Sequence, residues 1–147
     1  MSETDLIKLY SQRILALAAD IPHVGRLPSP TASVTRRAPL CGSTITVDIV
    51  TADGRITEYA QEIRACALGQ ASAAIFGAAV PGCTRDQVAT LRDELTAMLR
   101  EDGPTPQPPF DGYEVLRAAR DYRNRHASIL LAPEATLEAM DTALADA

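Results

Sequence analysis

The chain has 147 residues, 46% of them hydrophobic and 22% charged, with a net charge of −5. The length predicts a single domain over residues 1–147, and the negative charge argues against nucleic acid as a partner, because phosphate binding needs a concentrated basic surface. No segment is apolar for long enough to span a bilayer, and the polar, acidic residues 1–5 are unlike a signal peptide. We therefore predict a cytoplasmic protein without a membrane partner, whose three cysteines stay reduced and serve as ligands, nucleophiles or core residues.

The first half of the chain has the pattern of a helix followed by an antiparallel sheet. Apolar residues recur at helical spacing over residues 6–19, and the helix ends before Ile21-Pro22, because proline disfavours helix at the residue before it. Residues 44–50 alternate between apolar and polar side chains, which is the period of a half-buried strand, and Asp53-Gly54 is a hairpin turn signal. The predicted strands cover residues 31–40, 44–50 and 55–64.

Two helices are predicted next. Residues 67–79 have the alanine-rich composition of a helix, which stops at Pro81-Gly82. Thr84, followed three residues later by Gln87, is a capping box that begins a second helix, and this helix continues to about Arg100. The apolar residues at helical spacing that predict its buried face are Val88, Leu91, Leu95, Met98 and Leu99.

The remaining residues predict a loop and two more helices. Residues 103–109 contain four prolines and predict the loop. Asp111 is a candidate N-cap of a helix to about Tyr122, and Pro133 suits the first turn of a last helix. The order of elements predicts an α+β fold, in which helices pack on one face of a small three-stranded antiparallel sheet.

Cys41 and Cys66 lie at the two ends of the predicted hairpin. Because the strands pair antiparallel, these ends lie side by side, and we predict that the two sulfurs are neighbours. Cys66 also lies where strand gives way to helix, and the free N–H groups of a helix N-terminus stabilise a thiolate. Two thiolates on adjoining loops form half of a tetrahedral zinc or iron site, although two buried thiols of the core would give the same pattern.

Two other features have simpler interpretations. Cys83 lies between two predicted helices and away from the hairpin ends, which indicates a structural or incidental thiol. Basic residues cluster at Arg36-Arg37 and within residues 117–125. Mixed charge is normal on protein surfaces, so both clusters are interpreted as solvated faces, and a partner-docking surface at residues 120–125 is the alternative.

Four short segments are similar to the motifs of one known family. Residues 40–43 (LCGS), before an alternating strand, are similar to its "CGD" segment, and residues 65–73 (ACALGQASA) resemble its "GCxxxxAS" strand-to-helix turn. Residues 82–88 resemble its "GKTxDE" helix start, and His23-Val24-Gly25 resembles its Asn/His-x-Gly element. These are motifs of the NifU/IscU-type iron–sulfur cluster assembly scaffolds, and the resemblance covers residues 6–139.

The resemblance implies a scaffold rather than an enzyme. Sulfide from a cysteine desulfurase and iron would be assembled on it into a [2Fe–2S] cluster, which then passes to apo iron–sulfur acceptor proteins. Some relatives hold zinc at the same residues and act as sulfur acceptors. The implied ligands are three cysteines and an aspartate, with a histidine before the third cysteine in some members, and here they include Cys41, Cys66 and His126.

The chain departs from the family pattern at two ligand positions. Ser43 stands where the aspartate is expected. The third cysteine is expected in a string such as "HCSxLAxxA", whereas residues 126–135 are HASILLAPEA. Alignment of the histidines places Ala127 at the cysteine position, and alignment of Leu131-Ala132 without a gap places Ser128 there.

These departures leave three hypotheses open. Serine is a poor ligand at neutral pH because its hydroxyl is not ionised, but Cys41, Cys66 and His126 would still form a Cys₂His set completed by water or an external thiol. The first hypothesis is a scaffold that holds iron or a labile [2Fe–2S] cluster through these residues. The second is a zinc-binding sulfur acceptor that works with a desulfurase, and the third is a metal-free interaction paralogue.

Overall fold

The computed structural model describes residues 3–39 and 42–145. The strands are β1 (Ala32–Arg37), β2 (Thr44–Ala52) and β3 (Arg55–Arg64). The α-helices are α1 (Glu3–Ala18), α2 (Ala67–Ala79), α3 (Arg85–Arg100) and α4 (His126–Ala145), and 3₁₀ helices cover Asp111–Ala119 and Arg123–Arg125. In this part of the chain, no helix is long and apolar enough to cross a membrane.

The three strands form one antiparallel sheet in the order β1-β2-β3. The inward residues of β2 are at most 1% exposed, as the alternating pattern predicted, and they are Ile45, Val47 and Ile49. Asp53 and Gly54 both have positive φ angles, of 54° and 75°, which is the conformation of a type I′ hairpin. The hairpin predicted from Asp53-Gly54 is therefore confirmed.

The end of the sheet opposite the Asp53-Gly54 turn positions the β1–β2 connection and the junction between β3 and α2. In the last row of the sheet, Thr44 on the central strand β2 pairs with Arg37 on β1 and with Arg64 on β3. The connection between β1 and β2 and the start of α2 both leave the sheet from this row. The side-by-side placement predicted for the two hairpin ends therefore holds for the backbone that leads to them.

The helices cover one face of the sheet, which confirms the predicted α+β fold. The central helix is α4, which packs against β1, β2, α2 and α3. The capping box of α3 is complete, because Thr84 Oγ1 accepts from the Gln87 amide at 3.2 Å and Gln87 Oε1 accepts from the Thr84 amide at 2.8 Å. The five residues predicted for the buried face of α3 are its buried residues.

Two predictions for the last third of the chain are wrong. Helix α4 begins at His126, so that Pro133 lies inside it rather than in its first turn. A proline there removes the N–H that would bond to the carbonyl of Ile129, four residues earlier. The hydroxyl of Ser72 on α2 donates to that carbonyl at 2.5 Å instead. A hydrogen bond from a neighbouring helix thus accommodates Pro133.

The other correction concerns Asp111. It lies in the first turn of a 3₁₀ helix that ends at Ala119, not at Tyr122, and Phe110 takes the N-cap position without a side-chain hydrogen bond.

Strand β1 is also shorter than predicted. It ends at Arg37 because Pro39 has no N–H to continue the ladder.

A buried carboxylate joins the loop at residues 22–30 to the sheet. Asp48 on β2 is 1% exposed and accepts hydrogen bonds from Arg26 Nε at 2.7 Å, Ser33 Oγ at 2.5 Å and the Leu27 amide at 3.0 Å. Burial alone would raise the pKa of Asp48, but the hydrogen bonds and the charge of Arg26 outweigh it and hold that pKa below its ordinary value of 3.8. The ionised carboxylate therefore stabilises the folded state.

We expect Asp48→Asn to lower the free energy of unfolding at pH 7 by about 2 kcal/mol, the range for hydrogen bonds to charged groups. Because the folded-state pKa lies below 3.8, the contribution is complete above that value and is lost as the pH falls through the folded pKa. Urea unfolding of both proteins between pH 7 and pH 3 should show two curves that converge in acid. Asp53→Asn, in the exposed turn, is the matched control, and an equal loss there would contradict the assignment.

Candidate metal centre

Cys66 occupies the N-cap position of α2, directly after β3. Its backbone is extended, with φ −66° and ψ 170°, and its side chain makes no capping hydrogen bond. Its carbonyl accepts the first helical bond, from the Gln70 amide at 2.9 Å. The partly exposed thiol is therefore not used to cap the helix, and it lies beside free N–H groups that favour negative charge.

Cys41, the second predicted ligand, lies outside the described residues. The connection that contains it is closed on the sheet side by a hydrogen bond from the Ala38 amide to the Ser43 carbonyl at 2.8 Å. Ser43 follows Cys41 by two positions and is 6% exposed. The pairing of Cys41 with Cys66 remains a prediction.

A hydroxyl from α4 lies between these two loops. The Cys66 thiol donates to Ser128 Oγ with a sulfur–oxygen distance of 3.7 Å, and Ser128 Oγ lies 3.0 Å from Ser43 Oγ. Ser128 is fully buried. Of the two alignments left open by the sequence, the one without a gap therefore places its residue, Ser128, against Cys66.

Gly69 permits the close approach of α4 to α2 at this point. A Cβ on Gly69 would overlap Ser128 Oγ and the Cβ of Ala65. One turn further along α2, Ser72 donates to the Ile129 carbonyl that Pro133 leaves without a helical partner. Neither the close approach at Gly69 nor the hydrogen bond from Ser72 was predicted from the sequence, although a glycine in the first turn of an alanine-rich helix was an available signal.

His126, the third predicted ligand, is 3% exposed. Its Nε2 lies 3.0 Å from the Arg120 carbonyl and 3.2 Å from the Ala119 carbonyl. Carbonyl oxygens only accept hydrogen bonds, so Nε2 is the donor, and Nδ1 is the nitrogen that carries the lone pair in the neutral tautomer of this geometry. His126 and Ser128 are two positions apart on α4 and face different sides of the helix, so the imidazole and the hydroxyl beside Cys66 point in different directions.

Cys83 lies elsewhere, and the residue is 3% exposed. It donates to the Ala79 carbonyl at 3.4 Å. Burial raises the pKa of the Cys83 thiol above its ordinary value of 9.0, although the charge of Arg55 opposes the shift. A protonated thiol is a poor ligand, so this geometry agrees with the structural role predicted for Cys83.

Positive charge borders the candidate site. Arg37 and Arg64 are exposed in the last row of the sheet, and a terminal nitrogen of Arg37 lies 3.5 Å from the place of a Cβ on Gly42. Within residues 3–39 and 42–145, no three His, Cys, Asp or Glu side chains are grouped so that they could hold a metal ion. Among the described residues, the side chain recorded in hydrogen-bond contact with Cys66 is Ser128, which in turn contacts Ser43.

Comparison with known proteins shows the family of the chain. No family model and no curated protein matches the chain in sequence. Among solved structures, a nitrogen-fixing NifU-like protein (N-terminal) from Brucella abortus is 38% identical, with a TM-score of 0.91 over 97% of this chain and 99% of that one. The chain belongs to the NifU-like family.

Two more distant structures share the NifU-like fold. A protein described only as hypothetical is 22% identical, with a TM-score of 0.82 over 91% of this chain and 98% of its own. A protein of Fervidobacterium islandicum AW-1, assigned as an iron–sulfur cluster assembly scaffold for the SUF system, is 17% identical. Its TM-score is 0.78, over 90% of this chain and 97% of its own. The similarity to NifU/IscU-type proteins recognised in the cysteine segments is thus confirmed at the level of family and fold.

Proposed function

We propose that this NifU-like protein is an iron–sulfur cluster assembly scaffold, which binds iron or a labile [2Fe–2S] cluster and passes it to acceptor proteins. The observation that carries the proposal is the position of Cys66, which is partly exposed at the start of α2 and is linked through Ser128 to Ser43 in the segment that follows Cys41. Membership of the NifU-like family and the fold shared with a protein assigned to the SUF system support it.

In this proposal the cluster is cargo and the protein is not an enzyme. A cysteine desulfurase supplies sulfur, and the thiolates of Cys41 and Cys66 hold iron, because iron–sulfur clusters bind through soft thiolates. The N–H groups at the start of α2 and the nearby charge of Arg37 and Arg64 favour anionic cargo. The proposed location is the cytoplasm, where thiols stay reduced.

His126 is the proposed third ligand, through Nδ1, and it would have to reach the cargo from a different face of α4 than the one that carries Ser128. A ligating histidine usually donates its other N–H to a carbonyl or a carboxylate, which fixes the tautomer and the ring orientation. The two bonds from Nε2 to the carbonyls of Ala119 and Arg120 provide this arrangement. The same bonds would also serve as a brace between the 3₁₀ segment and α4, without any metal.

Substitution of His126 separates the two roles. His126→Gln keeps a side-chain donor but removes the imidazole lone pair. We expect this variant to bind iron or zinc about 10- to 100-fold more weakly, so that less metal is retained per chain. We also expect His126→Ala to lose about 1–3 kcal/mol of unfolding free energy, because two carbonyls lose their donor. Metal analysis and urea unfolding measure these effects, with His23→Gln as the control. Unchanged metal content in His126→Gln would show that His126 is not a ligand and serves only to hold the 3₁₀ segment against α4.

A zinc-binding sulfur acceptor is the second candidate. The observation that favours it is the donor set, since two thiolates and one imidazole match a zinc site with an open fourth position. Metal analysis of freshly purified protein distinguishes the two functions. Zinc without acid-labile sulfide would favour the acceptor, and protein that binds neither metal would favour the metal-free paralogue.

Anaerobic reconstitution tests the scaffold proposal. The wild-type protein is incubated with ferrous iron, cysteine, a desulfurase and dithiothreitol, which reduces the persulfide sulfur to sulfide, and is then separated from free reagents. We expect visible absorption from a cluster, with equal amounts of iron and acid-labile sulfide, and loss of that absorption when an apo acceptor is added. Protein that emerges without iron and sulfide would contradict the proposal.

A further inference from the structure

The hydroxyl of Ser128 lies at the distance from Cys66 that a second ligand of the same metal would have. Two ligands bound at about 2.3 Å to one tetrahedral ion are about 3.8 Å apart. The observed separation of Cys66 Sγ and Ser128 Oγ is 3.7 Å. Ser128 is therefore placed as a neighbouring ligand would be, but with a hydroxyl in place of a thiolate.

This placement is built into the packing of α2 against α4. Gly69 has no side chain where a Cβ would overlap Ser128 Oγ, and Ser72 holds the next residue of α4 through the Ile129 carbonyl. Ser128 is 0% exposed, so its hydroxyl cannot rotate into solvent. The position of this oxygen is thus fixed by both helices.

The hydroxyl also joins the two loops of the site. A serine hydroxyl has one donor and two acceptor sites, and Ser128 uses them toward Ser43 at 3.0 Å and Cys66 at 3.7 Å. The contact with Ser43 ties the segment after Cys41 to α4. This network needs no metal, so the hydroxyl keeps the parts of the site together when cargo is absent.

We propose that Ser128 takes the place of the family's third cysteine beside Cys66 as a hydrogen-bonding hydroxyl that does not ligate, so that only two of the protein's ligands to its cargo are thiolates. The inference rests on the proposed function and deepens it. A neutral hydroxyl binds iron and zinc far more weakly than a thiolate does. The site is therefore open on one side, which favours short residence of the cargo and its transfer.

Cobalt(II) is a suitable probe, because its thiolate charge-transfer absorption grows with the number of sulfur ligands. We expect Ser128→Cys to bind anaerobic cobalt at least about 100-fold more tightly than wild type, with absorption per cobalt about half as intense again, as for three thiolates instead of two. Ala127→Cys is the matched control. It adds the same thiol one position earlier, away from Cys66, and should leave absorption and affinity at the wild-type level.

Ser128→Ala keeps the inference testable if the cysteine variant fails to fold. We expect it to retain the two-thiolate absorption and to speed amide exchange at Ala38, whose N–H donates to the Ser43 carbonyl, because the tie to α4 is gone. Ser128→Cys without added absorption, added absorption in Ala127→Cys, or loss of the cobalt band in Ser128→Ala would each overturn the inference.

Failure of the proposed function has a different signature, since wild type would then assemble no cluster while Ser128→Cys still bound cobalt through three thiolates.

Discussion

Replacement of Cys66 by alanine should reduce the iron and sulfide retained after reconstitution to the background of a protein without a site. The expected loss is this large because Cys66 is the thiol in the described part of the chain that is both partly exposed and placed at a helix N-terminus. Removal of one of the two thiolates leaves a single thiolate ligand, which is too few to hold an iron–sulfur cluster. Cys41→Ala should have the same effect, if the two residues act as one site.

Cys83→Ala provides the matched control. It removes a thiol that is buried and bonded to the Ala79 carbonyl, away from Cys66. We expect this variant to assemble the same amount of cluster as wild type. Cluster assembly that survives Cys66→Ala but is lost in Cys83→Ala would mean that the site lies elsewhere, and the proposed function would need a different centre.

Gly69→Ala should damage both stability and cargo binding. The new Cβ would overlap Ser128 Oγ and the Cβ of Ala65, at separations that real side chains do not adopt. Overpacking of this kind typically costs 1–3 kcal/mol, and the gain in helix propensity offsets only part of it. We expect a net loss of about 2 kcal/mol, which corresponds to about 4–8 °C in Tm, together with weaker iron retention as α4 moves away from Cys66.

Thermal unfolding and metal analysis of the same samples test this expectation. Gly112→Ala is the control, because its added Cβ would meet only Ile75, at an ordinary contact distance of 3.4 Å. If Gly69→Ala is as stable as wild type and retains as much iron, then α2 and α4 can separate at this point without effect. The close approach would then have no part in the site.

The elements that the sequence predicted well are those defined by local chemistry. The capping box at Thr84 and Gln87 involves residues three positions apart, and the buried face of α3 follows from helical periodicity alone. The Asp53-Gly54 turn is equally local. Each of these signals lies within a few residues, so no knowledge of the tertiary structure was needed.

The misplacement of Pro133 shows where such reasoning fails. The preference of proline for the first turn of a helix is a local rule, and here a tertiary contact overrides it. Ser72 supplies the hydrogen bond that the proline removes, from a residue 57 positions away from Ile129. No pattern near Pro133 records that donor.

The site was predictable only in part for the same reason. The hairpin pattern and the family motifs predicted Cys66 as a ligand, which stays a prediction, and they left Ala127 and Ser128 as alternatives for the position of the third cysteine. The choice between them depends on the packing of α2 against α4, because Ser128 meets Cys66 across 62 positions of sequence. The carbonyl partners of His126 likewise depend on the turn of the chain before α4.

The long sequence separation of the two serines has a consequence for the order of events during synthesis. Ser43 and Ser128 are 85 positions apart, and α4 leaves the ribosome after the sheet and α2. Contacts between distant residues form late, because the chain entropy lost in closing a long loop must be overcome first. A nascent chain therefore exposes Cys66 before Ser128 lies beside it, and under the proposed function we expect it to bind cargo only after α4 has docked.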